Sequence, residues 1–132
     1  MRYRKGFKCQ LASPLLLQTR FRPVNDIQSD FCLLKKSGEL YLLKGFAWDG
    51  PSGPVIDRST NMRASGGHDA LYRMMRKKQL DCGRWRLADK CFGDWMREDG
   101  AWNLTVKIYL FGLSLAKGSA ANPKNKKQVY EV

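Results

Sequence analysis

The stretch Phe31-Cys32-Leu33-Leu34-Lys35-Lys36-Ser37-Gly38-Glu39-Leu40-Tyr41-Leu42-Leu43 consists of two apolar runs on either side of a short polar turn. Apolar runs of this length around a glycine-containing turn predict an antiparallel β-hairpin. Upstream, residues 15–21 form another short apolar run, and Tyr3 and Phe7 fit a first strand whose arginines and lysines mark a sheet edge. We therefore expect antiparallel β-hairpins over the first 45 residues.

The second half of the chain has the apolar spacing of helices. From about residue 61 three helical segments follow one another, interrupted at Gly83, Gly100 and Gly118. A glycine- and proline-rich segment, residues 45–54, separates the halves and is expected to be an irregular loop. Strands followed by three helices predict one α+β domain over residues 1–118. Residues 119–132 are polar and basic, which predicts a flexible tail.

The chain is strongly basic, and its charge predicts an anionic partner. Its 132 residues suit one domain with its own core, and the formal net charge is +12. A charge of this size favours contact with a phospholipid surface, an acidic viral or host protein, or nucleic acid. Nucleic acid is the least favoured of the three, because no helix-turn-helix, zinc-finger or RNA-recognition signature is found.

The cysteines and the single histidine indicate a protein that lacks a zinc site and is located in a reducing compartment. The four cysteines form no CxxC pair, and the chain has a single histidine. The basic start is not followed by an apolar run of signal-peptide length, so we expect a cytoplasmic protein with free thiols. Residues 102–116 are the most apolar stretch, but a bilayer span needs roughly 20 apolar residues. This segment is expected to be a core or interfacial helix.

The only histidine of the chain lies in the segment Gly67-His68-Asp69-Ala70-Leu71-Tyr72-Arg73. On a helix, His68 and Tyr72 share one face, and Asp69 points to a neighbouring one. The next helix would lie antiparallel after a short break, so that Asp89 faces His68. A carboxylate bound to one imidazole nitrogen leaves the other free to accept a proton. His68 and Asp89 are therefore the candidate catalytic residues.

Asp69 and Asp49 are the candidate metal ligands. If Asp69 faces the loop that contains Asp49, two carboxylates and loop carbonyls would form the hard oxygen set that calcium prefers. The pair Gly66-Gly67 is costly inside a helix, at roughly 1 kcal/mol for each glycine, and indicates close approach of another backbone such as the Asp49 loop. If the helix begins only near His68, the two glycines lie outside it, and neither the cost in helix stability nor the close approach of another backbone is then implied.

Each candidate also has a plain structural interpretation. A lone histidine is often a satisfied, partly buried side chain, and a helix aspartate is often a solvated charge or a cap. Ser52 is a nucleophile only in principle, because loop serines are common turn formers. Trp48 lies beside Asp49 in the loop and is a candidate supporting residue, although tryptophans more often belong to the core.

Two resemblances bear on these residues. The stretch Trp48-Asp49-Gly50-Pro51-Ser52-Gly53-Pro54, followed by His68-Asp69-Ala70-Leu71-Tyr72, resembles a family of small bacteriophage and prophage proteins. That family shares an Asp-x-x-Ser-x-Pro-like loop and a later His-Asp-x-x-Tyr helix. The resemblance covers roughly residues 40–95. It implies a phage origin, a place in the bacterial host cytoplasm or in the virion, and no particular activity.

The helix pair also resembles the core of the phospholipase A2 superfamily. In that superfamily the histidine of a His-Asp-x-x-Tyr helix activates water and the adjacent aspartate binds calcium. A second helix supplies the aspartate that supports the histidine. The resemblance gives these roles to His68, Asp69 and Asp89. Further positions implied by it are the structural partners Tyr72 and Phe92 and the upstream loop ligand Asp49.

Two functions follow as hypotheses. The first is calcium-dependent hydrolysis of lipid esters, with His68 as general base, Asp89 as its orienting partner and calcium at Asp49 and Asp69 stabilising the oxyanion. The positive charge would draw such an enzyme to an anionic lipid surface. The second is a non-enzymatic phage protein, either a tail or baseplate component of the virion or a protein that binds a host factor.

Overall fold

Our computed structural model of the chain describes residues 2–4, 7–48 and 62–116. Over these ranges strands fill the first half and helices the second, which confirms the predicted α+β class. The strands are β1 Arg2–Arg4, β2 Phe7–Gln10, β3 Leu15–Gln18, β4 Ile27–Ser29, β5 Cys32–Leu34, β6 Glu39–Leu42 and β7 Ala47–Trp48. The helices are α1 Met62–Arg76, α2 Trp85–Glu98 and α3 Asn103–Ala116, with a 3-10 turn at Cys82–Arg84.

The predicted hairpin forms the centre of a four-stranded antiparallel sheet. The strand order is β3-β6-β5-β4, and β5 pairs with β6 in the register Cys32↔Leu42 and Leu34↔Leu40. Gly38 ends the turn with a φ of 91°, a conformation that a residue without Cβ adopts freely. The side chains of β6 alternate, so that Leu40 and Leu42 face the core.

A second, three-stranded sheet has the order β1-β2-β7 and corrects one prediction. Residues 45–54 were expected to be irregular throughout, but Ala47 and Trp48 form a short strand that pairs with Gln10 and Cys9. Backbone hydrogen bonds on both sides of Leu11, to Phe46 and Gly45, guide the chain into this pairing. The rest of the predicted loop, residues 49–54, lies outside the described residues.

Helix α1 lies between the sheets and α2 and contributes much of the hydrophobic core. It begins at Met62, so Gly66 and Gly67 are interior helix residues, and the alternative start near His68 is wrong. Among the described residues the close neighbours of the two glycines are side chains, and the Asp49 loop whose backbone was expected here lies outside the described residues. A Cβ on Gly66 would lie 3.3 Å from Trp48, and one on Gly67 would lie 2.6 Å from Trp95.

Helix α2 is packed between α1 and α3. Arg63, at the start of α1, bonds Asp99 just beyond the end of α2, which shows that the two helices run antiparallel as expected. Helix α3 contacts α2 where Val106 and Leu110 lie over Gly93. Among the described residues no helix has both the length and the apolar character that crossing a membrane requires. The predicted tail, residues 119–132, lies outside the described residues.

Candidate functional site

His68 and Asp89 are directly hydrogen-bonded across the α1–α2 pair. Nε2 of His68 lies 2.7 Å from Oδ1 of Asp89, and both side chains are largely buried. Because a carboxylate only accepts hydrogen bonds, Nε2 carries the proton, and the lone pair of the neutral ring lies on Nδ1. In the described part of the chain Nδ1 has no hydrogen-bond partner. The geometry thus leaves one imidazole nitrogen able to accept a proton.

Tyr72 donates a second hydrogen bond to the same carboxylate oxygen. Its hydroxyl lies 2.7 Å from Oδ1 of Asp89. Burial raises the pKa of Tyr72 well above its ordinary value, and the hydrogen bond to Asp89 raises it further. Tyr72 therefore stays protonated and remains a donor throughout the working pH range. Two donors on one oxygen offset the cost of burying the carboxylate of Asp89.

Aromatic rings surround the imidazole. The rings of His68 and Tyr72 lie 4.2 Å apart between centroids, and Phe92 meets His68 edge-on at 5.3 Å. Phe92 in turn contacts Tyr109 of α3 at 5.8 Å. These rings fix the orientation of the imidazole and exclude water from the Asp89 side, which strengthens the hydrogen bonds there.

Helical spacing explains why these four side chains meet. His68 and Tyr72 are four residues apart on α1, and Asp89 and Phe92 are three apart on α2, so each pair shares a helix face. The missing side chain of Gly67 lets Trp95 pack directly on the backbone of α1, one residue before His68. The sequence prediction that His68, Asp89 and Tyr72 come together is matched by this geometry, and their catalytic roles remain predictions.

Asp69 points away from this cluster, towards the end of β7. Its Oδ2 lies 2.7 Å from Nε of Arg73, and Arg73 also donates to the carbonyl oxygen of Ala47 and covers the ring of Phe46. Arg73 was not predicted as a partner of Asp69. The i,i+4 spacing of opposite charges on one helix is the signal that would have found it.

The predicted calcium ligands are only partly within the described structure. Asp49 and Ser52 lie outside the described residues, so the proposed Asp49–Asp69 pair is a prediction that the structure does not reach. Within the described ranges no three histidine, cysteine, aspartate or glutamate side chains are grouped as metal donors. The guanidinium of Arg73 is already paired with Oδ2 of Asp69. The described residues therefore leave the calcium prediction untested.

Trp48 is a core residue in the described structure. It is almost completely buried, and its indole N–H donates to Oγ of Ser65 at 2.9 Å. Ser65 in turn donates to the carbonyl oxygen of Met62, which ties the end of β7 to the first turn of α1. Trp48 thus holds the chain next to Asp49 against the helix that contains His68, and it supports the site only indirectly.

Comparisons with protein-family models, with curated proteins and with solved structures give no match for this chain. The resemblances to the phage family and to the phospholipase A2 helix pair therefore remain interpretations of the motifs. The chemistry of the site has to be argued from its own residues.

Proposed function

We propose that this phage-type protein is a hydrolase of lipid esters in which His68 is the general base. The observation that carries the proposal is the 2.7 Å contact between Nε2 of His68 and Oδ1 of Asp89. It fixes the tautomer that a general base needs and leaves Nδ1 with its lone pair. The resemblance of the motif to the phospholipase A2 helix pair gives lipid esters as the substrate class.

In the proposed reaction Nδ1 of His68 removes a proton from water while the water oxygen attacks the ester carbonyl carbon. Asp89 stabilises the imidazolium that forms, and Tyr72 keeps the carboxylate in place through its hydrogen bond. When the tetrahedral intermediate collapses, the bond to the alcohol oxygen breaks. The proton on Nδ1 passes to that oxygen, so the products are an alcohol and a carboxylic acid, which releases its own proton to the solvent to become the carboxylate.

Calcium binding is proposed separately from the reaction at His68. The prediction depends on Asp49, because Asp69 alone is already paired with Arg73. Isothermal titration with calcium tests it directly: we expect binding that is lost in both Asp49→Ala and Asp69→Ala. Calcium binding that survives both substitutions would remove these residues from the metal site and leave the His68–Asp89 proposal intact.

The test of the hydrolase proposal is fatty-acid release from phospholipid vesicles by the purified chain. We expect His68→Asn to abolish release and Asp89→Asn to reduce it by about 10²–10⁴-fold, because an amide no longer holds the required tautomer. Asp94→Asn is the matched control, since Asp94 is a carboxylate on the same helix that bonds Arg20 at the surface. Release that is equal in wild type and His68→Asn would overturn the proposal.

A non-enzymatic role is favoured by one observation. The side chain of His68 is only 12% exposed and is enclosed by Tyr72, Asp89 and Phe92, as in a structural polar network. In that case the protein would be a virion component or bind a host factor, and its network would serve stability alone. Detection of the chain in purified virions by mass spectrometry, with normal growth of a phage carrying His68→Asn, would support this second function.

A further inference from the structure

The outer face of α3 is apolar and exposed. Five large hydrophobic side chains on or next to this helix are between 62% and 81% exposed. We call them the α3 face: Trp102, Leu104, Ile108, Phe111 and Leu115. The last four follow helical spacing and form one continuous stripe. An apolar stripe of this length on a protein surface marks an interaction site.

The opposite side of α3 already packs on the protein core. Val106 is completely buried, and Tyr109, Leu110 and Leu113 pack partly against the core. The helix is therefore apolar nearly all round, although only one side is covered by the described structure. A helix with this composition is normally buried on every side, so the α3 face calls for a second apolar environment.

The charges on α3 and in the sequence that follows it favour an anionic environment. From residue 101 to residue 130 the sequence contains no aspartate or glutamate, while lysines occur at 107, 117, 124, 126 and 127. Lys107 is itself exposed on the helix. A lysine beside an apolar helix face, such as Lys107, strengthens binding to an anionic membrane surface.

A second copy of the chain is a poor occupant of the α3 face. Each copy carries a formal net charge of +12, so charge repulsion opposes the association of two copies. An anionic lipid surface, in contrast, satisfies both the apolar stripe and the positive charge.

We infer that the α3 face docks on an anionic phospholipid surface, with the helix lying in the plane of the interface. Its 14 residues extend only about 21 Å, against about 30 Å for a hydrocarbon core. The stripe enters the boundary between headgroups and acyl chains, and Trp102 anchors its amino-terminal end, where tryptophan is favoured.

The biological role of this docking rests on the proposed function, since a hydrolase of lipid esters has to bind a lipid surface. Phe92 contacts both His68 and Tyr109 of α3, so a single aromatic ring separates the imidazole from the docking helix. A membrane under the α3 face would therefore be separated from the proposed general base by the width of α3 and by Phe92, and lipid esters would reach His68 past this helix. The binding itself does not require turnover and can be measured separately.

The test is cosedimentation of the full chain with vesicles of phosphatidylglycerol and phosphatidylcholine, compared with vesicles of phosphatidylcholine alone. We expect binding to the anionic vesicles that weakens as salt is added. The double variant Ile108→Ser/Phe111→Ser should bind more than about tenfold less, because it removes the centre of the stripe. The matched control is Leu16→Ser/Val24→Ser, which changes two exposed apolar residues in the strand half of the chain.

The outcomes separate this inference from the hydrolase proposal. His68→Asn should bind vesicles like wild type, so loss of activity with retained binding supports the docking whatever becomes of the catalytic role. Equal binding by the α3 variant and the control would overturn the inference. It would also be overturned if the wild-type chain did not bind anionic vesicles. A dimer, or a complex with an acidic protein, that Ile108→Ser/Phe111→Ser disrupts would then identify the occupant of the α3 face.

Discussion

Gly67 lies directly against the ring of Trp95. A Cβ at position 67 would come within 2.6 Å of Cζ3 of Trp95 and 2.5 Å of Cδ1 of Leu17, which is closer than real side chains approach. The neighbouring Gly66 is less tightly enclosed, because its Cβ would lie 3.3 Å from Trp48. The two glycines therefore have different structural roles, although they are adjacent in the same helix.

We expect Gly67→Ala to lower the free energy of unfolding by about 1–3 kcal/mol, because the methyl group forces α1 and α2 apart. Any activity of His68 should fall as well, since the same displacement lengthens its contact with Asp89. Gly66→Ala is the matched control. There the helix gains roughly 1 kcal/mol of propensity, which offsets small shifts of Trp48. Urea denaturation checks both variants, and equal stabilities would contradict the assignment.

Tyr72→Phe should destabilise the protein by about 1–3 kcal/mol, because the buried carboxylate of Asp89 loses a charge-assisted hydrogen bond. The aromatic contact with His68 is retained in this variant. Tyr41→Phe serves as a control, since the Tyr41 hydroxyl bonds Glu39 in a more exposed position. Chemical denaturation measures the free energy of unfolding of both variants. Equal decreases would mean that the hydrogen bond from Tyr72 does not stabilise the buried carboxylate of Asp89.

The stability of the protein should fall as the pH rises above 9. Burial raises the pKa of the Cys32 and Cys91 thiols from 9.0 to about 11. Between pH 9.0 and about 11 the thiols of the unfolded chain ionise while those of the folded protein keep their protons. Each thiol therefore lowers the free energy of unfolding by about 1.4 kcal/mol per pH unit in this range. Unfolding curves across this range should show a shallower decline in Cys32→Ala/Cys91→Ala. An unchanged slope would contradict the prediction.

Asp69 and Arg73 should be energetically coupled. Their side chains are mostly buried and lie four residues apart on α1, so we expect a coupling free energy of about 0.5–1.5 kcal/mol. A double-mutant cycle with Asp69→Asn and Arg73→Met measures it. The pair Lys77–Asp30, in which Asp30 is 85% exposed, provides a comparison with expected coupling near zero. Strictly additive effects at Asp69 and Arg73 would show that the ion pair contributes nothing.

The parts of the structure that depend on local periodicity could be predicted from the sequence. The hairpin around Gly38 and the facing of His68 and Asp89 both follow from spacing along single elements. The pairing of Ala47 and Trp48 with β2 could not be predicted, because it joins segments that are distant in sequence and carries no periodic signal. The ion pair of Asp69 with Arg73 was not predicted, because the same carboxylate also suits a metal ligand and the sequence does not distinguish the two partners.

His68 and Asp89 are close together along the chain as well as in space. Only 21 positions separate His68 from Asp89, whereas the pairing of Cys9 with Trp48 joins segments almost twice as far apart. Since the entropy lost on closing a loop grows with its length, the helical hairpin should assemble early in folding, before the second sheet closes. The proton-accepting geometry would then belong to the folding nucleus, and substitutions at Asp89 should slow refolding more than they accelerate unfolding.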